Sequence, residues 1–295
     1  MNKNRTYKAK YFALSFCASF FVWSLLFLFL ITTTHPDAAG VAPSAGLAFE
    51  PVYQPEEADA LTLLLFGTER PDSVADAFLL LRFDPLRGEV SVAAFPPQTV
   101  LLHGSREETL SDAYRYGGAA YTREALSTYL GVPIDRYARI SLAGFITAAA
   151  AVGTVEYELS EDLLLNDGDL AVTLHAGAQL LDGRMVAALI RNPDYPCGES
   201  QRGMITAELV CAVINQRIDV VNSTLSDKIF ETVINLVDTD ISYSDYEQRL
   251  SAARHMAARS GPVARPIPLQ GQFSQGNTRY TLADTALAGL ARRFF

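Results

Sequence analysis

The hydrophobic pattern begins with one long apolar run near the N-terminus. Residues 12–31 form a stretch of 20 residues without a single charged side chain. About 20 helical residues are needed to cross the apolar core of a bilayer. A chain in lipid must pair its backbone polar groups internally, which a helix does. Residues 12–31 are therefore predicted to be a transmembrane helix.

The charges before this run predict its orientation. Residues 1–11 contain no acid and carry four basic side chains, namely Lys3, Arg5, Lys8 and Lys10. The positive-inside rule makes them a cytoplasmic tail and places the rest of the chain outside, in a single-pass protein of the cell membrane. The alternative is a cleaved signal peptide, with small residues near positions 38 and 39 as the cleavage site. An apolar core of about 7–15 residues is usual there, so the longer run favours a retained anchor.

After the apolar run, the hydrophobic periodicity is lost over residues 32–58 and short apolar runs follow. Residues 32–58 are rich in Ala, Pro and Gly and show little periodicity, which predicts an extracytoplasmic linker. From residue 61 onward, short apolar runs of the kind expected for buried strands are bounded by turn residues. The predicted strands are residues 61–66, 77–83, 89–95, 99–102, 137–142, 154–159 and 266–273.

Segments with helical spacing lie between and after these runs. The predicted helices are residues 109–116, 120–130, 145–152, 177–181, 185–191, 200–217, 225–237, 244–259 and 281–293. Because strands and helices interleave, the predicted fold class is mixed α/β. Its centre is a mostly antiparallel or mixed sheet covered by helices.

Composition and charge exclude several functional classes. The net charge of −9 argues against a nucleic-acid partner, which usually requires a basic face. Only Cys197 and Cys211 lie outside the apolar run, too few for a disulfide framework, although a single bridge between them stays open. The chain has no Ser nucleophile elbow, Walker loop or zinc-ligand spacing.

Two carboxylates stand at predicted strand ends. Glu69 follows the first strand and Asp76 immediately precedes the second, so both can reach the same end of a sheet. Two carboxylates suit Mg²⁺, which prefers oxygen ligands and often binds substrate phosphates as well. Spacing alone favours the alternative that both are ordinary loop acids, because short motifs match by chance.

The order of several motifs supplies further information. Residues 63–100, LLLFGTERPDSVADAFLLLRFDPLRGEVSVAAFPPQTV, resemble the start of the LytR-CpsA-Psr family domain. Residues 131–137 (GVPIDRY) resemble the family's Gly-Ile-x-Ile-Asp-x-Tyr entry to a strand, and residues 177–183 (GAQLLDG) its Gly-x-Gln-x-Leu-Asn/Asp-Gly segment. The resemblance spans residues 61–217. It defines a family domain at 59–218 and leaves 219–295 as a C-terminal helical extension packed on the same domain.

The resemblance implies a function. Members of this family are extracytoplasmic transferases that move a glycopolymer phosphate from a polyprenyl-pyrophosphate carrier to peptidoglycan. An apolar pocket is expected to take the lipid, and arginines with Mg²⁺ are expected to hold the pyrophosphate. Phosphoryl transfer mainly requires positioning and charge neutralisation, which this arrangement supplies.

The same resemblance assigns roles residue by residue. Glu69 takes the place of the first metal-binding Asp and Asp76 matches the second, so both are expected to bind Mg²⁺. The expected catalytic residues are Asp76, Arg191 and Arg202. The expected substrate-binding residues are Arg70 and Arg82, with Arg115 as a further candidate.

The chain also departs from the family pattern. Val74 replaces an Arg, and Pro97 and Gln98 replace an Arg-Asp pair. Glu199 and Gly203 replace the outer residues of Arg-x-x-Arg-Gln. Each charge-assisted hydrogen bond contributes roughly 1.5–3 kcal/mol. The loss of these arginines should therefore lower transition-state stabilisation. Three functions therefore stay open: a divergent transferase, a catalytically degenerate module that binds carrier lipid or glycopolymer, and a structural domain without a small ligand.

Overall fold

The structure is a computed structural model that describes residues 53–166, 170–223 and 226–294. The predicted cytoplasmic tail, transmembrane helix and most of the linker lie outside the described residues. Within those ranges, no helix combines the length and hydropathy needed to cross a membrane.

A six-stranded mixed sheet forms the centre of the molecule. Its strands are β1 (Leu61–Thr68), β2 (Ala75–Asp84), β3 (Glu89–Phe95), β6 (Arg136–Ser141), β11 (Val237–Thr239) and β12 (Ala264–Pro266). They lie in the order β11-β6-β1-β2-β3-β12. Strands β1, β2 and β3 are antiparallel neighbours, whereas β6 runs parallel to β1 and β12 parallel to β3. The predicted mixed α/β class with a central sheet is confirmed.

Four two-stranded sheets surround this centre. They pair β4 (Val100–His103) with β5 (Arg106–Thr109), β7 (Val155–Leu159) with β10 (Gly177–Leu181), β8 (Leu163–Leu165) with β9 (Val172–Leu174), and β13 (Gly271–Phe273) with β14 (Tyr280–Leu282). The helices are α1 (Leu110–Leu130), α2 (Leu142–Val152), α3 (Gly183–Arg191), α4 (Gly198–Arg217), α5 (Ser226–Ile234), α6 (Tyr243–Ala257) and α7 (Asp284–Phe294).

The central strands are buried on both faces, which explains why they read as continuous apolar runs. Alternate residues of β1 point to opposite sides. Leu63 and Leu65 join the core formed with α2, α3, α4 and α6. Leu64 and Phe66 join the core formed with α1 and α7. The sheet is therefore the middle layer between two groups of helices.

Three sequence predictions differ from the structure. Residues 177–181 are predicted to be helical but form β10, which pairs with β7. The two helices predicted at 109–116 and 120–130 are one helix with a kink at Gly118. The strand predicted at 266–273 is divided between β12 and β13, because the chain leaves β3 after Pro266 and pairs with β14 from Gly271.

The segment after residue 218 contributes strands as well as helices. It supplies β11 and β12, the two outer strands of the central sheet. Neither was predicted as a separate strand, since three residues carry too little periodicity. The segment after residue 218 therefore completes the central sheet.

Candidate functional site

An irregularity in the pairing of β1 with β2 places the first candidate residue. Gly67 is opposite Ala77, whereas Thr68 is opposite Ala75. Asp76 is therefore the extra residue of a β-bulge, a feature that redirects a side chain. A Cβ on Gly67 would lie 2.9 Å from the Cβ of Ala77, so this close pairing requires glycine.

Two arginines from helices approach this edge of the sheet. Arg191 is the last residue of α3, and its Nη2 lies 3.3 Å from Oε2 of Glu69. Arg202 lies in the second turn of α4, and its Nη2 lies 3.5 Å from the backbone oxygen of Asp76. The structure thus brings together four of the residues that the sequence singled out, namely Glu69, Asp76, Arg191 and Arg202.

Both arginines have carboxylate partners within the protein. Arg202 donates from Nε and Nη2 to Oε2 of Glu199, at 3.1 and 2.5 Å. Arg191 is paired with Glu69. A phosphate that enters this site therefore competes with two acidic side chains for the guanidinium groups.

The protein perturbs the ionisation of Asp76. Removal of water by surrounding protein atoms raises the pKa of the Asp76 carboxyl, and the charge of Glu69 raises it further. Arg202 and Arg191 oppose this effect, but the net shift is upward. The residue keeps an exposed surface, so its carboxyl group lies at an edge open to ligands.

An apolar groove begins beside these charges. Its first part lies between the sheet and helices α2 and α3, and it includes Phe145, Ala187 and Ile190 with Asp76 and Arg191 at the rim. The groove continues along α4. This second part is lined by Asp76, Ala94, Pro96, Glu199, Arg202 and Gly203. A charged rim beside an apolar groove can bind a molecule with an anionic head and a hydrocarbon tail.

Gly203 has a packing role where the family has a glutamine. A Cβ at this position would lie 3.3 Å from the backbone oxygen of Ala94. The glycine therefore lets α4 approach β3 closely. Glu199, in the first turn of α4, instead pairs with Arg202.

Arg70 lies in the turn between Glu69 and Asp76. Its backbone is fixed by Ser73, whose Oγ accepts from the Arg70 N–H and donates to the Arg70 oxygen, both at 2.9 Å. The side chain is exposed, so Arg70 is placed to reach a ligand at the rim.

The other two predicted arginines are occupied elsewhere. Arg82 donates to Oγ1 of Thr62 at 3.1 Å and lies 3.5 Å from Asp84. It is six residues beyond Asp76 along β2, or about 20 Å at 3.3 Å per residue, so its predicted substrate-binding role is not supported. Arg115 pairs with Asp112 at 2.9 Å on the exposed side of α1.

Hydroxyl groups are the part of the site that the sequence did not reveal. Thr68, Ser141 and Thr206 line the first part of the groove. The oxygen of Ser141 caps α2 by accepting from the Gly144 N–H at 3.2 Å, and Thr206 donates to the backbone oxygen of Arg202 at 2.7 Å. Helix-capping preference offered a signal for Ser141 alone.

Glu69 and Asp76 offer carboxylate oxygens, which are the ligands that Mg²⁺ prefers. No group of three or more His, Cys, Asp or Glu side chains with metal-binding geometry occurs in the described part of the chain. Mg²⁺ is commonly held by one or two carboxylates together with substrate phosphates and water. Glu69 raises the pKa of Asp76 by repulsion, and a cation between them would relieve this. Glu69 and Asp76 are thus the residues that could hold Mg²⁺ together with a substrate phosphate.

Two curated relatives illustrate the sequence similarity. An uncharacterized protein of Staphylococcus aureus is 22% identical over 218 residues, which is 72% of this chain and 53% of the relative. The polyisoprenyl-teichoic acid–peptidoglycan teichoic acid transferase TagU of Halalkalibacterium halodurans is 25% identical over 194 residues, which is 62% of each protein. The chain thus spans less than two thirds of the length of these relatives.

Solved structures share the fold. A putative transcription regulator from Eubacterium siraeum superposes with a TM-score of 0.75 at 18% identity, over 87% of this chain and 98% of that one. TagV of B. subtilis gives a TM-score of 0.64 at 19% identity, over 81% and 97%. TagT bound to LI-WTA gives 0.61 at 16% identity, over 82% and 92%. The LytR_cpsA_psr family model matches residues 33–293, and the chain therefore belongs to the LytR-CpsA-Psr family.

Proposed function

We propose that this protein is a membrane-anchored transferase that moves a glycopolymer phosphate from a polyprenyl-pyrophosphate carrier to peptidoglycan outside the cell membrane. One observation carries the proposal. Asp76, Glu69, Arg191 and Arg202 converge at the charged rim of an apolar groove. The names of relatives such as TagU, a polyisoprenyl-teichoic acid–peptidoglycan teichoic acid transferase, support the same reaction class.

Each part of the site matches one part of such a donor. The apolar groove between the sheet and α2 and α3 suits the polyprenyl chain, because burial of hydrocarbon is favourable. Arg191 and Arg202 suit the pyrophosphate, because a guanidinium can donate two parallel hydrogen bonds to phosphate oxygens. Arg70 is free to approach the same group from the turn.

The chain's residues would position and neutralise the reacting phosphate. An acceptor hydroxyl oxygen forms the new bond to phosphorus, the phosphoanhydride bond breaks, polyprenyl phosphate leaves, and the hydroxyl proton passes to water. Arg191 and Arg202 turn from their carboxylate partners to the phosphate oxygens. Glu69 and Asp76 would hold Mg²⁺, which when bound supplies further neutralisation of phosphate charge.

The predicted membrane anchor fits this donor. A polyprenyl carrier lies in the bilayer, and residues 12–31 would keep the domain close to it. Proteolysis of intact cells tests this topology. We expect external protease to remove an epitope at the C-terminus and to spare one at the N-terminus.

A second function is favoured by a specific observation. Pro97 stands where the family has an arginine, and Glu199 pairs with Arg202. Both features lower the positive charge available to a pyrophosphate. A module that binds carrier lipid or glycopolymer without turnover would have the apolar groove but would not catalyse the transfer.

The test separates these functions. Full-length protein in detergent would be incubated with a short-chain polyprenyl pyrophosphate, with and without Mg²⁺, beside Asp76→Ala. Mg²⁺-dependent release of phosphate that is lost in the variant supports the transferase. Binding without release in the wild-type protein supports the binding module and contradicts the transferase.

A further inference from the structure

A cluster of aromatic side chains lies outside the groove, where the β4–β5 hairpin packs on the start of α1. Tyr116 is 65% exposed. Its ring centroid lies 5.2 Å from that of Tyr121, and the centroid of the His103 ring lies 5.6 Å from that of Tyr121. The guanidinium carbon of Arg106 lies 4.1 Å from the centroid of Tyr116. We call these four residues the aromatic platform.

Two glycines in α1 make this arrangement. A Cβ on Gly117 would lie 2.4 Å from the Cβ of Tyr121, so only glycine lets that residue approach the backbone. Gly118 has φ 68° and ψ −161°, which interrupts the helix, and Thr122 then donates to the Gly118 oxygen at 2.8 Å. The kink places Tyr116 and Tyr121 side by side, where a continuous helix would separate them.

Buried charge holds the platform in place. Glu108 is only 5% exposed. Its Oε1 accepts from the Tyr121 hydroxyl at 2.6 Å, and its Oε2 lies 3.0 Å from Nε of Arg106. One carboxylate therefore fixes both Tyr121 and Arg106, the two residues that contact Tyr116. A rigid surface that combines ring faces with hydrogen-bonding groups loses little entropy when it binds a ligand.

The platform is close to the candidate active site. At the start of α1, the N–H of Ser111 donates to the oxygen of Pro97 at 3.0 Å. The neighbouring Pro96 lines the groove together with Asp76. Tyr116 follows Ser111 by five residues, a rise of about 8 Å along a helix. An extended polymer that reaches the rim of the groove can therefore also reach the platform.

We propose that the aromatic platform binds a sugar ring of the acceptor glycan, an inference that rests on the proposed transferase function. A pyranose has a C–H face, which suits the negative face of an aromatic ring, and a rim of hydroxyl groups, which suits the exposed guanidinium of Arg106. The transfer reaction needs an acceptor site as well as the groove for the donor. A membrane surface fits less well, because Glu107 and Asp112 flank the platform and membrane surfaces are usually anionic.

The experiment measures binding of a soluble tetrasaccharide of β-1,4-linked N-acetylglucosamine to full-length protein in detergent by titration calorimetry. We expect Tyr116→Ala to bind about tenfold more weakly than wild type, the effect of losing one aromatic contact. Tyr116→Phe keeps the ring face and should bind as wild type does. The matched control is Tyr243→Ala, since Tyr243 is also an exposed tyrosine, at 54%, but lies on α6.

Three results would overturn the proposal: no binding by the wild-type protein, equal binding by Tyr116→Ala, or an equal loss in Tyr243→Ala. Thermal melting of the variants checks that each is folded. Hydrolysis of the polyprenyl pyrophosphate is measured separately on the wild-type protein. Its absence would count against the transferase alone, because the tetrasaccharide titration does not depend on turnover.

Discussion

At the scale of single residues, the site is defined by arginines that already have partners. Arg202 is paired with Glu199 across one helical turn, and Arg115 is paired in the same way with Asp112. Only Arg202 lies at the groove. The two arginines therefore form a matched pair for separating a role in the reaction from a role in a surface ion pair.

We expect Arg202→Ala to lower kcat/KM for polyprenyl pyrophosphate hydrolysis by about 10- to 100-fold, because a charge-assisted hydrogen bond to phosphate contributes roughly 1.5–3 kcal/mol. Arg115→Ala should leave kcat/KM within about twofold of wild type, as exposed ion pairs contribute little. Equal kinetics for Arg202→Ala and Arg115→Ala would contradict the role of Arg202.

We expect Asp76 to lower the stability of the folded protein at neutral pH, although it supports the proposed function. Its pKa is raised chiefly by removal of water, so the folded state binds its proton more tightly than the unfolded state does. Stability from this group is therefore present at low pH and lost as pH rises through the folded pKa. We expect Asp76→Asn to raise Tm at neutral pH, to leave Tm unchanged in acid, and to remove Mg²⁺-dependent activity. Melting curves over a pH series would reveal an error if the variant melted lower at neutral pH.

At the scale of elements, the packing of α3 decides where Arg191 lies. Gly183 begins this helix, and Asp182 caps it by accepting from the N–H groups of Arg184 and Met185, both at 2.9 Å. A Cβ on Gly183 would lie 2.6 Å from the Cβ of Ala149 in α2. The close contact of α2 with α3 therefore depends on glycine.

We expect Gly183→Ala to lower the free energy of unfolding by about 1–3 kcal/mol, the usual cost of forcing extra volume into a packed contact. The control is Gly289→Ala in α7, where a Cβ would meet no atom within 4 Å. This variant should gain up to about 1 kcal/mol, because alanine favours a helix more than glycine does. Urea denaturation measures both, and a stable Gly183→Ala would show that α2 and α3 can separate without cost.

The strands and helices also show how much of the secondary structure the sequence pattern predicts. Strands β1, β2 and β3 were predicted within a few residues, because both sheet faces are buried and the runs are apolar throughout. Residues 177–181 were predicted to be helical because their apolar positions fit either period. Pairing with β7 made them a strand. The aromatic platform was not predicted, since Tyr116 and Tyr121 meet only through the kink of α1 at Gly118.

At the scale of the whole molecule, an ion pair joins the C-terminal segment to the central sheet. Arg136 of β6 donates from Nε and Nη2 to the two oxygens of Asp245 in α6, both at 2.9 Å. Asp245 also accepts from the N–H and the hydroxyl of Ser242 in a capping box. The Asp245 side chain is 9% exposed and that of Arg136 is 35% exposed, so the carboxylate side of this pair is shielded from water.

We expect Asp245→Ala to lower the free energy of unfolding by about 3–5 kcal/mol, since it leaves a guanidinium partly buried without its partner. Asp238→Ala, which removes the more exposed pair with Arg139 at 2.7 Å, should cost less than about 1 kcal/mol. Chemical denaturation compares the two. Similar losses would contradict a special role for the Arg136 pair.

The lowered pKa of Asp245 predicts that acid reduces the stability of the folded protein. Burial by itself would raise the pKa of Asp245, but hydrogen bonds from Arg136 and Ser242 outweigh this effect and lower it. A lowered pKa adds stability above the unfolded value of about 3.9, and that stability is lost as pH falls through the folded value. This pH dependence is opposite in sign to that of Asp76. Acid should therefore weaken the contact between β6 and α6 that the Arg136–Asp245 pair forms.

The sequence by itself determined the apolar strands, most helices and the family motifs that identify Glu69, Asp76, Arg191 and Arg202, because each depends on local periodicity or a short ordered motif. The tertiary structure decided what depends on contacts between distant segments. Pairing with the sheet made β11 and β12 its outer strands. The bulge directed Asp76 toward the groove. Arg82 lies near the other end of β2, where it donates to Thr62. Such contacts join residues that are far apart in the chain, so no local pattern records them.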